Sequence, residues 1–395
     1  MIDIAIYGGS FNPPHRGHIR AAAAAKAQLQ PQKFFFVPDH EPPHKALEPG
    51  SPTPEERLAL TRLAAAEIPG AQTLTLEIER AGKSYTSDTL RQFHARYPAC
   101  RLCFLMGTDM FLTLDQWHEP ETILSLAVIG VFARSGGERA VIEAKKAELE
   151  RRFGASVIFI QSEPLDISSS ELRTLLPRRE GREYLTEAVY AEIIRRRLYG
   201  ARPELAWLRR EAYAFLDPRR VPHVAGTEQE AVKLARRWGE DEGNVAEAAI
   251  LHDITKRLPQ DEQLRMCQRY GIITDNLEKT NEKLLHARTG AAFCRERFGV
   301  PDNIASAIRW HTTGRAGMTR LEKILYLADY IEPTRHGFAG LEELRRAAYE
   351  DLDGAMAMAL GMSWAEVTEK GTPFHKNSAD AKEYFEALCA RKGLS

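Results

Sequence analysis

A glycine-rich turn near the start of the chain constrains its fold more than any other stretch. The apolar run at residues 2–7 predicts a buried strand, and the alanine-rich run at residues 19–29 predicts a helix, because Ala is the best helix former. Between the two lies the sequence Gly8-Gly9-Ser10-Phe11-Asn12-Pro13-Pro14-His15-Arg16-Gly17-His18. A strand, a glycine turn and a helix in this order present backbone N–H groups at a helix N-terminus, which favours an anion site.

Side chains within the turn support the same prediction. Gly8 and Gly9 carry no Cβ, so the backbone there can approach a phosphate closely. His15 and His18 can bring two imidazoles to the same phosphate. A structural turn with surface histidines is the alternative, but the His-x-Gly-His spacing directly after a first strand favours a phosphate site.

Strands continue to alternate with helices through the first half of the chain. We predict strands at residues 34–37, 73–79, 101–106, 128–132 and 157–160. We predict helices at residues 52–67, 138–153 and 184–199, and a further helix that Thr86 or Ser87 caps. This alternation implies an α/β fold whose parallel sheet binds ligands at the carboxyl ends of its strands. A proline-stiffened loop after the second strand ends in His44 and Lys45, both able to contact phosphate.

Several short motifs accompany the opening turn. They are Ser84-Tyr85-Thr86, Gly107-Thr108-Asp109, Trp117, and Ile167-Ser168-Ser169 with Arg173. With the His-x-Gly-His turn they resemble the nucleotidylyltransferase superfamily and, within it, nicotinate-mononucleotide adenylyltransferase over residues 1–200. The resemblance implies a Rossmann-like domain that transfers the adenylyl group of ATP to nicotinate mononucleotide. It makes His15 and His18 the catalytic residues, which stabilise the charge that develops at the α-phosphorus.

The resemblance also implies the residues that bind ATP and the acceptor. These are Gly8, Gly9, Ser10, Phe11, His44, Lys45, Tyr85, Thr86, Asp109, Trp117, Arg134, Ser168, Ser169 and Arg173. Aromatic faces stack on planar bases, so Trp117 suits the pyridine ring, and the guanidinium groups of Arg134 and Arg173 suit phosphate oxygens. Mg²⁺ is expected with ATP, although no dedicated carboxylate cage is visible. A preference for the amide acceptor, nicotinamide mononucleotide, stays open.

Strand signals disappear after Glu204. Segments 204–216, 227–239, 243–256, 259–270, 284–297, 301–310, 319–331 and 341–360 all predict helices. The sequence Gly200-Ala201-Arg202-Pro203 combines a helix-ending glycine with a proline, which is the best break in the chain. We therefore expect an α/β domain at residues 1–200 and an all-α domain at residues 201–395.

Histidine and aspartate side chains recur in apolar helical stretches of the second half, where a polar group is costly unless it is paired or bound to a metal. His223, His252, Asp253 and Asp329 supply the mixed imidazole and carboxylate ligands that suit iron, manganese, zinc or similar ions. His286 and His311 add ligands for a second metal, with Asp253 bridging. Two metals about 3.5–4 Å apart are a recurrent solution for phosphoanhydride hydrolysis. We expect two divalent transition metal ions, iron or manganese.

The sequence around these ligands carries a second resemblance. His252-Asp253-Ile254-Thr255-Lys256, His286-Ala287-Arg288-Thr289-Gly290, Trp310-His311-Thr312-Thr313-Gly314 and the stretch from Ala328 to Arg335 resemble the HD phosphohydrolase superfamily, in particular the YqeK-type HD proteins. The resemblance implies symmetrical hydrolysis of diadenosine tetraphosphate to two ADP. It makes Asp253 and Lys256 catalytic and adds Arg335 as a phosphate contact. The alternatives are a nucleotide-binding regulatory domain and hydrolysis of another nucleotide.

Composition limits the partners. Lys and Arg number 54 against 55 Asp and Glu, so the net charge of −1 argues against a nucleic-acid binder. No apolar run reaches the roughly 18 residues of a membrane span, and no signal peptide is visible, so we expect a cytoplasmic enzyme without a membrane partner. The five scattered cysteines argue against a disulfide framework, and a homo-oligomer is compatible with the sequence.

Overall fold

The computed structural model describes residues 1–43, 46–80, 82–133, 139–163 and 165–393. The chain divides into two compact units, Met1–Arg202 and Pro203–Ser395. Three residues with predicted phosphate contacts, His44, Lys45 and Arg134, lie outside the described residues. Within the described ranges, none of the helices combines the length and apolarity that crossing a bilayer requires.

The first unit is built on a parallel six-stranded sheet with the strand order β3-β2-β1-β4-β5-β6 in the described part of the chain. The strands are β1 (Ile4–Gly9), β2 (Lys33–Pro38), β3 (Ala71–Thr73), β4 (Leu102–Gly107), β5 (Ala127–Ala133) and β6 (Val157–Gln161). The order reverses between β1 and β4, where an α/β sheet opens a crevice at the carboxyl ends of its strands. The predicted Rossmann-like architecture is confirmed.

Helices cover both faces of this sheet. They are α1 (Arg16–Leu29), α2 (Pro54–Ala65), α3 (Leu76–Arg80), α4 (Thr86–Arg96), α5 (Thr108–Leu112), α6 (Pro120–Leu126), α7 (Arg139–Phe153), α8 (Ser169–Leu175) and α9 (Glu187–Arg196). Successive strand residues point to opposite faces, so Ile4 and Ile6 enter one apolar cluster while Ala5 and Tyr7 enter the other. Both faces of β1 are therefore buried, and only its carboxyl end is free to meet a ligand.

One predicted strand of this unit is wrong. Residues 73–79 alternate like a strand, but β3 ends at Thr73 and the chain turns into α3 at Leu76. Glu77 on this short helix is buried and accepts a 2.6 Å hydrogen bond from the Thr89 hydroxyl. Burial raises the pKa of Glu77 to about 7. A partner twelve residues away therefore sets the local conformation, and alternation alone does not reveal it.

The start of α4 also differs from the prediction. Tyr85 is the N-cap residue, and its side chain makes no capping hydrogen bond. Ser87 lies inside the first turn, and its buried hydroxyl has no hydrogen-bond partner among the described residues, so it does not cap the helix. The backbone N–H groups at the start of α4 therefore have no side-chain cap.

The described residues of the second unit form helices and connecting loops, with no strand among them, as predicted. Its helices are α10 (Leu205–Tyr213), α11 (Val221–Trp238), α12 (Glu242–Leu251), α13 (Gln260–Arg269), α14 (Glu282–Phe298), α15 (Asp302–Trp310), α16 (Arg320–Ile331), α17 (Leu341–Glu350), α18 (Leu352–Glu369) and α19 (Lys376–Lys392). Helix α11 packs against both α12 and α16, and α15 packs against α14 and α16. These five helices surround one buried centre.

Several helices depart from the sequence prediction, among them α11, which begins at Val221 and not at residue 227. Residues 341–360 form two helices, because Asp351 leaves the helical conformation and its side chain accepts a hydrogen bond from the Asp353 amide to start α18. The closing helix α19 was not predicted, although Ala381, Phe385 and Cys389 place one apolar stripe against the unit at helical spacing.

Candidate active sites

Helix α1 begins at Arg16, three residues before its predicted start, and this makes the two histidines part of its first turn. His15 is the N-cap and accepts a 3.1 Å hydrogen bond from the Gly17 amide through Nδ1. His18 accepts a 3.2 Å bond from the His15 amide through its own Nδ1. Imidazoles thus fill the roles that Ser and Glu usually fill in a capping box. With Nδ1 accepting in both rings, a neutral imidazole carries its proton on Nε2.

Burial keeps both rings neutral. It lowers the pKa of His15 to about 4 and holds the pKa of His18 well below the ordinary value, with His15 adding to the effect on His18. The ring centres lie 3.9 Å apart. At neutral pH, His15 and His18 therefore present two adjacent N–H donors with little net charge.

Both rings line a cavity of about 260 Å³ at the carboxyl edge of the sheet. Asp109, which follows β4, lines the same cavity, together with Phe132 from β5 and Ile167 beyond β6. Asp109 is exposed toward this space. The structure therefore brings His15, His18 and Asp109 to one place.

Tyr85, Thr86 and Trp117 form a separate group, and none of them lines the cavity of the histidines. The Tyr85 ring lies 4.3 Å from the ring of His118, between centroids. Trp117 is half-buried against the core, and its Nε1 donates to the Thr113 hydroxyl at 3.4 Å. Tyr85 and Thr86 form the uncapped start of α4, and Trp117 is next in sequence to His118, which the Tyr85 ring contacts.

The glycines of the turn are required for side-chain packing. A Cβ on Gly17 would lie 2.8 Å from the His15 ring, so only glycine lets that imidazole fold back over the helix start. A Cβ on Gly8 would meet the Phe104 ring at 2.9 Å. The x-Gly between the two histidines is therefore explained by the capping geometry itself.

A buried arginine holds the turn from below. Arg57 is fully buried and donates to the Ser10 carbonyl at 2.8 Å and to the Asp39 carboxylate at 2.9 Å. The Ser10 hydroxyl donates to the other oxygen of Asp39 at 2.6 Å. Phe11 has a left-handed backbone with φ of 45° and packs its ring edge-on against Tyr7. No local motif marks Arg57, because its partners lie up to 47 residues away.

The serine-rich segment near α8 reaches the same turn. Ser168 caps α8 by accepting from the Glu171 amide. The Ser169 hydroxyl donates to the Pro13 carbonyl at 2.9 Å, and Arg173 Nη1 donates to the Asn12 carbonyl at 2.8 Å. Ser169 and Arg173 therefore hold the backbone of the turn in place, and their predicted phosphate contacts stay a prediction.

In the second unit, the structure brings the six predicted metal ligands together from five helices. His252 and His311 are the C-cap residues of α12 and α15. The others are His223 on α11, Asp253 directly after His252, His286 on α14 and Asp329 on α16. The predicted ligands therefore converge on the buried centre of the helical unit.

One half of the cluster joins three helices. His223 Nε2 lies 2.9 Å from Asp329 Oδ1, and His252 Nε2 lies 3.9 Å from the same oxygen. His252 Nε2 is also 3.4 Å from Asp253 Oδ2. These separations match the edges of a coordination shell around one small cation.

The other half lies on the opposite oxygen of Asp253. Its Oδ1 is 3.2 Å from His286 Nε2 and 3.6 Å from His311 Nε2, and the two Nε2 atoms are 3.0 Å apart. Asp253 therefore faces both halves, one with each carboxylate oxygen, as the predicted bridging role requires.

Backbone carbonyls orient these imidazoles. His252 Nδ1 lies 2.7 Å from the Ala249 carbonyl, and His311 Nδ1 lies 2.6 Å from the Ile308 carbonyl. Each Nδ1 therefore carries the proton, which leaves Nε2 with a lone pair directed at the centre.

The residues fit a metal by two further observations. His252 Nε2 and Asp253 Oδ1 are buried atoms with no hydrogen-bond partner among the described residues. Burial, with the Lys256 charge, lowers the pKa of His286 to about 3, so the ring is neutral as a ligand must be. Burial raises the pKa of Asp253, but the surrounding imidazoles hold it well below its usual range. Neutral imidazoles and ionised carboxylates are the required ligand forms.

Two residues that contact the ligand cluster were not predicted from the sequence. Arg220 donates from Nε to Asp253 Oδ2 at 2.6 Å, and it precedes His223 by only three residues. Glu332 is fully buried with Oε1 3.0 Å from His223 Nδ1, and a Cβ on Gly226 would lie 2.5 Å from its Oε2. Glu332 stands in the motif around Asp329, but only the fold shows that it orients His223.

Lys256, which was predicted to be catalytic, and Arg335, which was predicted to contact phosphate, both lie at the cluster. Lys256 Nζ is 3.1 Å from His286 Nε2 and 3.6 Å from Asp253 Oδ1. Arg335 Nη2 is 3.1 Å from Asp329 Oδ1. Both cations are partly exposed, so each can also face a substrate.

Comparison with known proteins matches the two units to two different families. Residues 6–175 match the cytidylyltransferase-like family and residues 220–334 match the HD domain. The chain is 36% identical over 211 residues to a probable nicotinate-nucleotide adenylyltransferase of Geotalea daltonii, a match that covers 50% of this chain and 97% of that protein. It is 29% identical over 366 residues to a probable nicotinate-nucleotide adenylyltransferase/Ap4A hydrolase of Mycoplasma genitalium, with 90% and 96% covered.

Among solved structures, a predicted HD superfamily hydrolase involved in NAD metabolism from Clostridium acetobutylicum is similar to this chain. It is 34% identical with a TM-score of 0.45, and the match covers 46% of this chain and 97% of that one.

The Geotalea protein is matched over nearly its whole length, which establishes kinship for the first unit, and the Mycoplasma protein extends the match through the second. The chain therefore belongs to the nicotinate-nucleotide adenylyltransferase family, in the form that fuses the nucleotidyltransferase domain to an HD hydrolase domain.

Proposed function

We propose that the first unit transfers the adenylyl group of ATP to nicotinate mononucleotide, giving nicotinate adenine dinucleotide and pyrophosphate. The observation that carries the proposal is the pair of Nε2–H donors of His15 and His18 at the edge of one cavity with Asp109. The acceptor phosphate attacks the α-phosphorus in line, and pyrophosphate leaves with the electron pair of the broken P–O bond. Such a transfer needs no protein nucleophile, because positioning and charge stabilisation lower the barrier.

His18 donates to the α-phosphate in this proposal, and His15 donates to the phosphates that leave. Neutral donors suit this step, since they stabilise charge on the transferring group without holding the pyrophosphate as firmly as fixed cations would. The turn that carries them is held by Arg57, Ser169 and Arg173, so the donors are pre-positioned before ATP arrives. ATP brings Mg²⁺ as part of the substrate.

The uncapped start of α4 favours the acid acceptor. Its first N–H groups have no side-chain cap, and a helix N-terminus stabilises an anion. Tyr85 is the N-cap residue and Thr86 the first residue of this helix, and the Tyr85 ring contacts His118, the sequence neighbour of Trp117. The pyridine ring would stack on one of these aromatic side chains with its carboxylate toward the N–H groups. Nicotinamide mononucleotide carries a neutral amide at that position and gains less from the helix end.

We propose that the second unit hydrolyses diadenosine tetraphosphate symmetrically to two ADP. The observation that carries this proposal is the six-residue cluster with its orphaned buried atoms, His252 Nε2 and Asp253 Oδ1. His223, His252 and Asp329 would hold one divalent ion and His286 with His311 a second, and Asp253 would contribute to both. When bound, such ions acidify a water molecule and polarise a phosphoryl oxygen.

The remaining side chains act on the substrate directly. Lys256, Arg335 and Arg220 place three cations beside the cluster, where they neutralise the tetraphosphate chain. Asp253 is kept ionised, so it can help to hold the ions, and the proton of the attacking water passes to solvent. Water attacks one of the two central phosphorus atoms, the central P–O bond breaks, and both products leave as ADP.

Two assays on the purified full-length protein test these proposals. We expect kcat/KM for nicotinate mononucleotide to exceed that for nicotinamide mononucleotide by at least tenfold, and an equal or reversed preference would contradict the acceptor assignment. We expect metal-loaded protein to release two ADP from each diadenosine tetraphosphate. Release of ATP and AMP would instead indicate asymmetric cleavage.

A regulatory role for the second unit is the other candidate function. A protein that retains metal and binds diadenosine tetraphosphate without releasing ADP would support it. The orphaned atoms of the cluster favour hydrolysis, because a binding domain has no need to direct several bare imidazole nitrogens at one point.

A further inference from the structure

A cavity of the helical unit lies away from the metal-ligand cluster. It measures about 580 Å³ and lies between the outer faces of α14 and α15 and the loop that follows α13. Arg288 and Arg309 line it, and each is two residues from a cluster ligand, His286 and His311 respectively. Two residues turn a helix by about 200°, so these arginines face away from the ligands. We name this space the three-arginine cavity, after Arg288, Arg295 and Arg309.

Three arginines line the cavity, and two of them pair with carboxylates that lie outside its lining. Within the described part of the chain, its lining contains no Asp or Glu. Arg288 pairs with Glu278 behind the wall at 2.7 Å, and Arg295 pairs with the exposed Asp302 at 2.8 Å. Arg309 pairs with no carboxylate among the described residues, and its guanidinium carbon lies 4.8 Å from the centre of the Trp310 ring.

Arg309 shares the cavity wall with Arg288 and Arg295, and its only partner among the described residues is the Trp310 ring. Like charges gathered around one cavity destabilise the empty protein, and an anion placed between them removes that cost.

The shape of the cavity limits what the anion can be. Its floor consists of small side chains, Ala291, Ala292 and Ala305, which leave room for a ligand. Its volume falls in the range of small-molecule sites, about 300–1,000 Å³. Tyr270 and Trp310 add aromatic surface to the wall. Planar guanidinium groups match phosphate oxygens in a bidentate geometry, so phosphate is the anion that the lining fits.

We propose that the three-arginine cavity is a binding site for a phosphate-bearing small molecule, separate from both catalytic centres. Pyrophosphate and ADP are the two sources of this chemistry closest to hand, because the proposed reactions release them. The site itself does not depend on those reactions, since it rests on the cavity and its charges alone.

Equilibrium binding to the full-length protein tests the proposal. The background variant His18→Ala/Asp253→Asn weakens phosphate binding at both catalytic centres, so that a third site can be resolved. We expect this protein to bind about one further pyrophosphate per chain. The additional change Arg309→Gln should weaken that binding about ten- to hundredfold, as expected for loss of a charged hydrogen bond.

A matched control separates the cavity from general surface charge. Arg265 is an exposed arginine of the same unit, paired with Asp261 and outside the cavity. Arg265→Gln should leave pyrophosphate binding unchanged. Amide hydrogen exchange of residues 291–310 should slow on addition of pyrophosphate in the background variant and not after Arg309→Gln.

Competing outcomes are distinct. ADP that binds at least tenfold more tightly than pyrophosphate would identify a nucleotide as the ligand, with its base against Tyr270 or Trp310. Equal affinities would identify the bare phosphate chain. The proposal is overturned if the background variant binds no further pyrophosphate, or if Arg309→Gln and Arg295→Gln both leave the binding unchanged.

Discussion

At the start of α1 the imidazoles of His15 and His18 accept backbone hydrogen bonds through Nδ1, whereas His252 and His311 donate to backbone carbonyls through the same atom. The first pair therefore presents Nε2–H groups and the second pair presents bare Nε2 lone pairs. A donor attracts phosphate, and a lone pair attracts a metal cation.

The position in the helix explains this difference. A helix N-terminus has free N–H groups, so His15 accepts, and a helix C-terminus has free carbonyls, so His252 and His311 donate. The same side chain thus becomes an anion site or a cation site according to which helix end it occupies. The predictions below test this contrast.

The largest effect is expected from Asp253→Asn. This change removes the carboxylate that faces both halves of the cluster, and under the proposed function the ions that it would help to hold would supply several kcal/mol of transition-state stabilisation. Release of ADP from diadenosine tetraphosphate should fall by about 10³-fold or more. Metal content should fall with it, while adenylyl transfer stays unchanged. Equal loss of both activities would show that the two centres are not independent.

The ion pair beneath the first centre is expected to dominate the stability of its unit. Arg57→Met leaves the buried Asp39 carboxylate without its partner and should lower the free energy of unfolding by about 3–5 kcal/mol. The double variant Arg57→Met/Asp39→Asn removes both charges and should recover part of that loss. Urea unfolding of the first unit measures both values. A single variant as stable as the wild type would exclude Arg57 as the support of the turn.

His18→Ala tests the donor half of the contrast. Loss of one positioned donor should reduce kcat for adenylyl transfer about 10²–10³-fold, by analogy with oxyanion-hole donors. His94→Ala is the control, because His94 is an exposed histidine on α4 of the same unit. ADP release by the second unit should not change in either variant. A loss in His94→Ala as large as that in His18→Ala would point to general destabilisation.

The stability of the first unit should depend on pH through His15. Its folded pKa is about 4 against 6.5 in the unfolded chain, so the unfolded state binds more protons between these values. The free energy of unfolding should therefore fall as the pH drops below 6.5, by about 2 kcal/mol at pH 5.

His15→Asn is the matched variant for this pH dependence. Asn can cap the Gly17 amide but does not titrate, so the difference between pH 7.5 and pH 5 should shrink by the same amount. Urea unfolding at the two pH values gives the comparison. An unchanged difference would mean that His15 is charged in the folded protein.

Glu332→Gln should give the smallest effect and probes the lone-pair half of the contrast. The carboxylate accepts from His223 Nδ1 and so directs Nε2 at Asp329. Loss of such an orienting partner typically weakens metal binding about 10–100-fold. Titration of the chelated full-length protein with Mn²⁺ measures this affinity. Glu343→Gln, at an exposed glutamate on α17, is the control and should bind Mn²⁺ like the wild type.

The sequence predicts the two folds and the ligand cluster because their signals are local or strongly constrained. Strand and helix periodicity marks most elements, and polar ligands in apolar helices mark the cluster. The strand prediction for residues 73–79 fails because the burial of Glu77 depends on its contact with Thr89, which sequence periodicity does not reveal. The prediction of one helix at residues 341–360 fails because the apolar helical pattern continues through the break at Asp351.

The supporting residues were beyond prediction for a related reason. From the sequence, Arg57 is predicted to be a surface charge on an amphipathic helix. It is fully buried because the loop that carries Asp39 folds over it. Arg220 and Glu332 act through side chains that are distant in sequence. The helix start at Arg16 was also misplaced, because histidine is an unusual capping residue and no propensity scale indicates it.

The capping role of His15 and His18 has a consequence for substitutions in the turn. Ser, Thr, Asp and Asn can usually replace one another at a helix N-cap, because the position affects only the stability of the helix. At His15 and His18 a substitution would affect both the start of α1 and, under the proposed function, adenylyl transfer. Gly17 is restricted as well, since any larger residue displaces the His15 ring. Asp109 lines the same cavity without capping α1, so a substitution there tests the chemistry of the cavity apart from the start of the helix.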